Sequence, residues 1–414
     1  MTYCNMSPWL AAKQGFFKKL AANRTKRADS LVKYMPMSGG DANYRKVYET
    51  LKREILNGAH PADRPFPSST ALSRRFGFAR FTIRQALDIL VKEGLIKSSR
   101  GRGTFMTKMG ANRQIGLIVP GISYSEFFQP IVTALSGVCA ENGYGLSIGS
   151  AFSAESEKRV QQVVAHARDL VAKGVRGVIF QPIEMEPSAP DLNRQIGDIL
   201  QAAGVSVVML DSDIVPQPER SKLDLVGIDN YGAGRRVVRH LLGQGVRKLC
   251  FASHPYPCNS IEARWRGAVS EAATCKNATI WRFECSPQDE ACIRRNVARR
   301  RPEAIICGYD TFAAYVKCAI AKDGRKVPDD ILLTGFDDLQ DAVLMTPALT
   351  TIHQSCSEIA REAFFALIGR MENPSSPPRE ILLNAPLVVR ASTQRNRMPK
   401  AGHFVQGRKN TLRK

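Results

Sequence analysis

The sequence predicts an α/β chain: two doubly wound parallel sheets, preceded by a small helical domain that closes on a β-hairpin. Three observations carry that expectation. From residue 113 to about 390, short apolar runs alternate with helix-spaced runs, each strand-like run about 20–30 residues after the last, as parallel sheets with crossover helices require. Residues 41–108 carry three helix-spaced patterns followed by a glycine-rich hairpin signal. The charge is divided in the same way. Residues 1–112 hold 21 Lys and Arg against 7 Asp and Glu, residues 391–414 hold 7 against none, and the 278 residues between them hold 31 of each sign.

Composition narrows the class. At 414 residues, with 44% hydrophobic and 23% charged content, the chain can build two or three well-packed domains. No uncharged apolar run reaches the roughly 18 residues a membrane span needs, so no membrane partner is expected. The opening segment is interrupted by Lys13, Gln14, Lys18 and Lys19, which suits a signal peptide poorly. Ten cysteines without a CxxC pair point to free thiols in a reducing cytoplasm, with neither a disulfide framework nor a metal site. No cofactor is expected. Residues 1–40 read as a basic, disordered extension and 395–414 as a basic tail, and Met35 or Met37 is an alternative start.

In the small domain each element has a local cause. NYRKVYETLKREILNG places Tyr44, Val47, Leu51, Ile55 and Leu56 on one helical face, and Gly58 stops it. Ser68 can cap a short second helix that ends near Gly77. A third helix follows from Arg80, with Ile83, Leu87 and Leu90 inward and Gly94 as its stop. IKSSRGRGTFM then reads as two strands around a tight tip. Helix, helix, turn, helix and hairpin make a winged helix-turn-helix, whose third helix enters the major groove by its N-terminal residues. Concentrated Lys and Arg suit such a role, because phosphate contacts release counterions. Arg80 and Arg84, at i and i+4, share one helix face.

This segment resembles the GntR family of bacterial regulators, on Phe66-Pro67-Ser68, Ala71 to Gly77, Arg80 with Thr82 to Leu87, Glu93-Gly94-Leu95-Ile96 and the tip Arg100 to Phe105. The resemblance implies DNA contacts from Arg80, Thr82, Arg84, Arg100, Gly101 and Arg102. It also marks a departure: Thr70 stands where the family often has a DNA-contacting Arg, so that contact is not carried over.

In the large domain the alternation gives two consecutive doubly wound units, with ligand groups at the C-terminal ends of the strands. It is similar to the LacI/GalR regulatory domain, itself like the periplasmic sugar-binding proteins, over roughly 113–394. Its landmarks are IGLIVP at 115–120, GVIF at 177–180, VGIDN at 226–230, GFDD at 335–338 and PALTTIHQ at 347–354. The resemblance implies effector contacts from Ser125, Phe127, Phe128, Asp211, Arg264, Tyr309, Asp337 and Gln354. Aromatic faces stack on a sugar ring and carboxylates accept its hydroxyls. Tyr309 replaces a common Asn, and Asp229 is read as a turn residue outside the site.

No nucleophile elbow, HExxH, Walker loop or dinucleotide fingerprint occurs, so an enzyme is not expected. The expected function is a DNA-binding transcription regulator, a repressor, with an operator duplex and a sugar as partners and a homodimer as its working state. Chains that join these two families include arabinose-responsive repressors, so the resemblance points to a pentose or related sugar. The competing reading is a DNA-binding protein whose large domain only dimerises.

Overall fold

The computed structural model describes residues 39–56, 59–61, 64–99, 103–107, 113–120, 126–149 and 156–395. The chain divides into two units at residues 111 and 112.

The first unit is built from α1 (Gly39–Leu56), α2 (Ser69–Phe76), α3 (Arg80–Lys92), β1 (Ile96–Ser99) and β2 (Gly103–Met106). Its local signals act as expected. Ser68 Oγ accepts from the Ala71 amide at 3.2 Å, and Gly77 closes α2 at φ 71°, a left-handed turn that costs glycine nothing. Val47, Leu51 and Ile55 of α1 are buried against Ile83, Ala86 and Leu90 of α3, with Phe66, Leu72, Leu95, Ile96 and Met106 completing the core. Each of these burials other than that of Ala86 stabilises by roughly 1.5–3 kcal/mol. Leu87 only packs against this core from its edge. The hairpin is antiparallel, Ile96 opposite Met106 and Ser99 opposite Gly103. Lys52, almost fully buried, pairs with Glu93 at 3.1 Å and donates to the Tyr48 hydroxyl at 2.8 Å, tying the end of α3 to α1.

The second unit holds two parallel sheets. In chain order the elements are β3 (Gln114–Ile118), α4 (Phe128–Glu141), β4 (Gly145–Gly149), α5 (Ser156–Ala172), β5 (Gly177–Phe180), α6 (Ala189–Ala202), β6 (Ser206–Leu210), β7 (Asp224–Ile228) and α7 (Asn230–Gly243). There follow β8 (Lys248–Ser253), α8 (Asn259–Ala272), β9 (Thr279–Glu284), α9 (Glu290–Arg300), β10 (Ala304–Cys307), α10 (Asp310–Ala321), β11 (Leu332–Thr334) and α11 (Gln340–Leu344). Then come β12 (Thr351–Ile352), α12 (Cys356–Glu372), β13 (Glu380–Leu383) and β14 (Leu387–Val388). The first sheet runs β13-β7-β6-β5-β3-β4 and the second β11-β10-β8-β9, with β12 and β14 pairing as a short antiparallel ribbon. Every residue of β5, β7 and β10 is buried, as strands covered by helices on both faces must be.

The two units of sheet are interleaved, which corrects the expectation of consecutive ones. After the second sheet the chain returns: α12 packs on α4 and on β5 to β7, and β13 joins β7 in parallel, Glu380 opposite Leu225. Asp224 anchors that return. It is fully buried and accepts from Arg370 of α12 (Nη2, 2.7 Å; Nε, 3.1 Å) and from the Arg379 amide (2.7 Å). Burial alone raises its carboxyl pKa, but these donors outweigh burial and hold it below the usual range. The half-exposed EILL of β13 has no strong strand pattern, and its partner lies more than 150 residues away, so local sequence could not announce it.

Candidate effector cleft and nucleic-acid face

In each sheet the strand order reverses beside the first-formed strand, at β3/β5 and at β8/β10, and the crevice at the strand C-termini is where such folds bind ligands. A cavity of about 600 Å³ lies there, within the range of small-molecule sites. Segments following seven strands line it. From the first sheet come Pro120 and Phe127–Phe128 after β3, Gln181 and Glu184 after β5, and Asp211 after β6. From the second come Ser260 and Arg264 after β8, Gln288 after β9, Tyr309 after β10 and Asp337 after β11.

Six of the eight residues expected from the sequence therefore meet at one cavity: Phe127, Phe128, Asp211, Arg264, Tyr309 and Asp337. Ser125 lies outside the described residues. Gln354 does not line the cavity, which corrects its expected place. It is buried and donates Nε2 to Asp337 Oδ1 at 2.7 Å, so it positions the carboxylate from behind. Asp229 behaves as read, capping α7 by accepting from the Gly232 amide at 2.8 Å.

Arg264 is the hub. Its Nε donates to Asn230 Oδ1 at 2.8 Å and its Nη1 to the Gly308 carbonyl at 2.7 Å. The same Nη1 lies 3.5 Å from Asp337 Oδ1, and the guanidinium covers the Phe336 ring. Two glycines set its position. A Cβ on Gly267 would come 2.0 Å from the Tyr231 carbonyl, and one on Gly234 equally close to that of Arg264, so α7 and α8 touch backbone to backbone. Phe127 and Phe128 meet edge to face at 5.0 Å and share the core beneath the cavity.

The cleft's carboxylates are held under strain. Asp211 and Asp337 adopt φ of 66° and 109°, and neighbouring Met185 and Asp338 are also left-handed at 59° and 58°. Such backbones persist where surrounding structure imposes them, and they gather at ligand sites. Burial pushes the Asp337 carboxyl up to about 7 against the pull of Arg264, and it raises Asp211 as well. Glu184, which sequence reasoning missed, is pushed up to about 8 by burial and then by the charge of Asp211. The polar QPIE tail directly after the apolar GVIF of β5 was the available signal.

In the first unit, Arg80 and Arg84 are exposed on α3, and Thr82 lies between them, half-buried. Among the described residues neither arginine makes a hydrogen bond or an ion pair. Arg75, by contrast, is engaged by Glu54, with one bond at 2.9 Å. α3 opens at Ala79, which supplies no side-chain cap, so its first amides stay available for a phosphate. Arg100, Gly101 and Arg102 lie outside the described residues. Among the described residues no helix is long and apolar enough to cross a membrane, and no cluster of His, Cys, Asp or Glu could hold a metal ion.

A winged helix-turn-helix joined to a two-lobed α/β domain with a polar cleft defines a class: a transcriptional regulator with a built-in binding domain. The matches are specific to both parts. Residues 43–106 match the bacterial regulatory proteins of the gntR family, and residues 238–393 match the periplasmic binding protein-like domain, so the chain unites these two domains. It is 26% identical over 367 residues to the arabinose metabolism transcriptional repressor of Geobacillus stearothermophilus, spanning 84% of this chain and 97% of that one. It is 27% identical over 295 residues to the HTH-type transcriptional repressor PurR of Mannheimia succiniciproducens, spanning 70% and 83%. Both relatives are transcriptional repressors rather than enzymes. Among solved structures it shares its fold with a transcriptional regulator CelR–cellobiose complex (TM-score 0.57, 20% identity, 82% of this chain and 94% of that one). A LacI family regulator from Enterococcus faecium with bound ribose is similar (TM-score 0.56, 20% identity, 68% and 98%).

Proposed function

We propose that this chain is a cytoplasmic, homodimeric repressor whose affinity for a DNA operator is set by a small sugar-like effector bound in the cleft between the two lobes. The observation that carries the reading is the composition of the cleft. Aromatic faces and carboxylates from both lobes line one cavity large enough for a mono- or disaccharide. Bound groups that reach Asp211 on one lobe and Asp337 on the other would favour a closed arrangement. A ligand that prefers one arrangement shifts the balance by its difference in affinity for the two. If DNA prefers the other arrangement, effector and operator weaken each other by the same factor. Arg80, Thr82 and Arg84 would read base edges or phosphates from α3, with the wing residues Arg100, Gly101 and Arg102 beside them. The relatives' printed roles as repressors, and the cellobiose and ribose bound to proteins of the same fold, support the reading.

The test is a thermal-shift screen of the full chain against mono- and disaccharides. At least one sugar should raise the melting temperature of the large unit in a concentration-dependent way. A flat response across the panel would favour a dimerising domain without an effector.

A further inference from the structure

The cleft's charge is lopsided. Among the described residues that line it are five carboxylates, Glu126, Glu184, Glu186, Asp211 and Asp337, and one basic side chain, Arg264. Arg264 is already committed: its donors go to Asn230 and Gly308, and its nearest carboxylate is Asp337. The wall formed by the first sheet is left short of donors. Glu184 Oε1 and Asp211 Oδ1 are buried without a hydrogen-bond partner among the described residues, where the side-chain donors that these two carboxylates meet are the Cys258 thiol and the Ser260 hydroxyl. Gln181, only 2% exposed, has an unpartnered Oε1 on the same wall.

These three acceptors set what can occupy the wall. An anionic ligand, such as a phosphorylated sugar or a sugar acid, would add a like charge to a cavity whose described lining holds five carboxylates and, as its basic side chain, the committed Arg264. A neutral hydroxyl donates one hydrogen bond but brings no charge to offset the burial and the charge of Asp211, which together lift Glu184 to about 8 and disfavour its ionised form. A protonated amine offers three donors and a positive charge, which meets both demands at once.

We propose that the effector is a polyhydroxylated molecule bearing a protonated amino group, an amino sugar. Its ammonium sits against Glu184, Asp211 and Gln181, and its ring lies beside Phe127, Phe128 and Tyr309. The inference rests on the sugar-sensing reading above and names the class of sugar.

The experiment is calorimetric titration of the full chain with matched pairs: glucosamine and glucose, galactosamine and galactose, mannosamine and mannose. The N-acetyl derivatives serve as uncharged amide controls. In at least one pair the amino sugar should bind about tenfold or more tightly than its neutral and N-acetyl partners, the scale of one charge-assisted contact. Glu184→Gln, which keeps the shape and removes the charge, should bring that ratio towards one. Equal or tighter binding of the neutral sugar wherever binding occurs overturns the amino-sugar assignment and leaves sugar sensing standing. Binding of no sugar at millimolar concentration overturns both.

Discussion

The exposed face of α3 and the cleft of the large unit use charge in opposite ways. On α3, Arg80 and Arg84 stand exposed on a regular helix, where side chains without protein partners can meet phosphates and base edges. In the cleft, Asp337 is buried and Asp211 and Glu184 are half-buried, the two aspartates on left-handed backbone, with Arg264 beside Asp337. The first site is written in consecutive residues at helical spacing. The second exists only once residues more than a hundred positions apart, such as Asp211 and Asp337, are brought to one cavity from two different sheets. A surface that binds a polyanion needs density of charge, whereas a pocket that selects a small molecule needs unsatisfied groups held in place.

The largest effect should come from removing both exposed arginines. Arg80→Ala with Arg84→Ala should weaken binding to a duplex selected from random sequence by roughly 1–3 kcal/mol per arginine, read by fluorescence anisotropy. Unchanged affinity would sink the docking of α3. Salt sharpens the same point: a log–log slope shallower than about −3 on non-specific DNA would mean that the N-terminal excess of charge is not a phosphate footprint.

Next in size is the cleft. Asp337→Asn keeps a residue that tolerates positive φ and can still accept from Gln354, but it loses the charge. It should weaken effector binding by about tenfold while leaving DNA affinity as it was. Wild-type effector affinity would remove Asp337 from the site. Gln354→Ala should weaken the same binding by a smaller factor, roughly 0.5–1.5 kcal/mol, because it only frees the carboxylate to move. An effect larger than that of Asp337→Asn would mean that Gln354 touches the ligand itself.

Much of this was legible in the chain and some was not. Ser68, Gly77 and the apolar stripe Val47, Leu51, Ile55 act over a few residues, so the first unit could be read element by element. The alternation of strands and helices gave the class of the second unit but not its interleaving, since Asp224, Arg370 and Arg379 act across the whole domain. Resemblance supplied Asp211, Arg264 and Asp337. Glu184 was missed because a glutamate after a strand is ordinary until Asp211 and Cys258 are known to face it. Gln354 was expected at the effector, and that its side chain turns to Asp337 instead was not visible in the sequence.

The smallest expected effect is on stability. Glu184 and Asp337 have raised carboxyl pKa values in the folded chain, about 8 and about 7, so folding favours their protonated forms. Their contribution is whole below the ordinary carboxylate range and is lost as pH rises through 7 and 8. Raising pH from 5 to 9 should therefore lower the melting temperature of the large unit, and Glu184→Gln should reduce that drop by at least about 2 °C. An identical drop in the variant would mean that Glu184 is solvated in the folded chain.

The central claim is that the two sites are linked, and one measurement addresses it directly. The full chain, bound to its selected duplex, is titrated with each sugar of the panel while anisotropy reports the DNA affinity, for wild type and Asp337→Asn in parallel. At least one sugar should shift DNA affinity by about fivefold or more, the scale of ordinary allosteric coupling, and the variant should need about tenfold more of it. A chain that binds the duplex specifically and binds a sugar in the cleft, yet shows the same DNA affinity with and without it, would contradict the account.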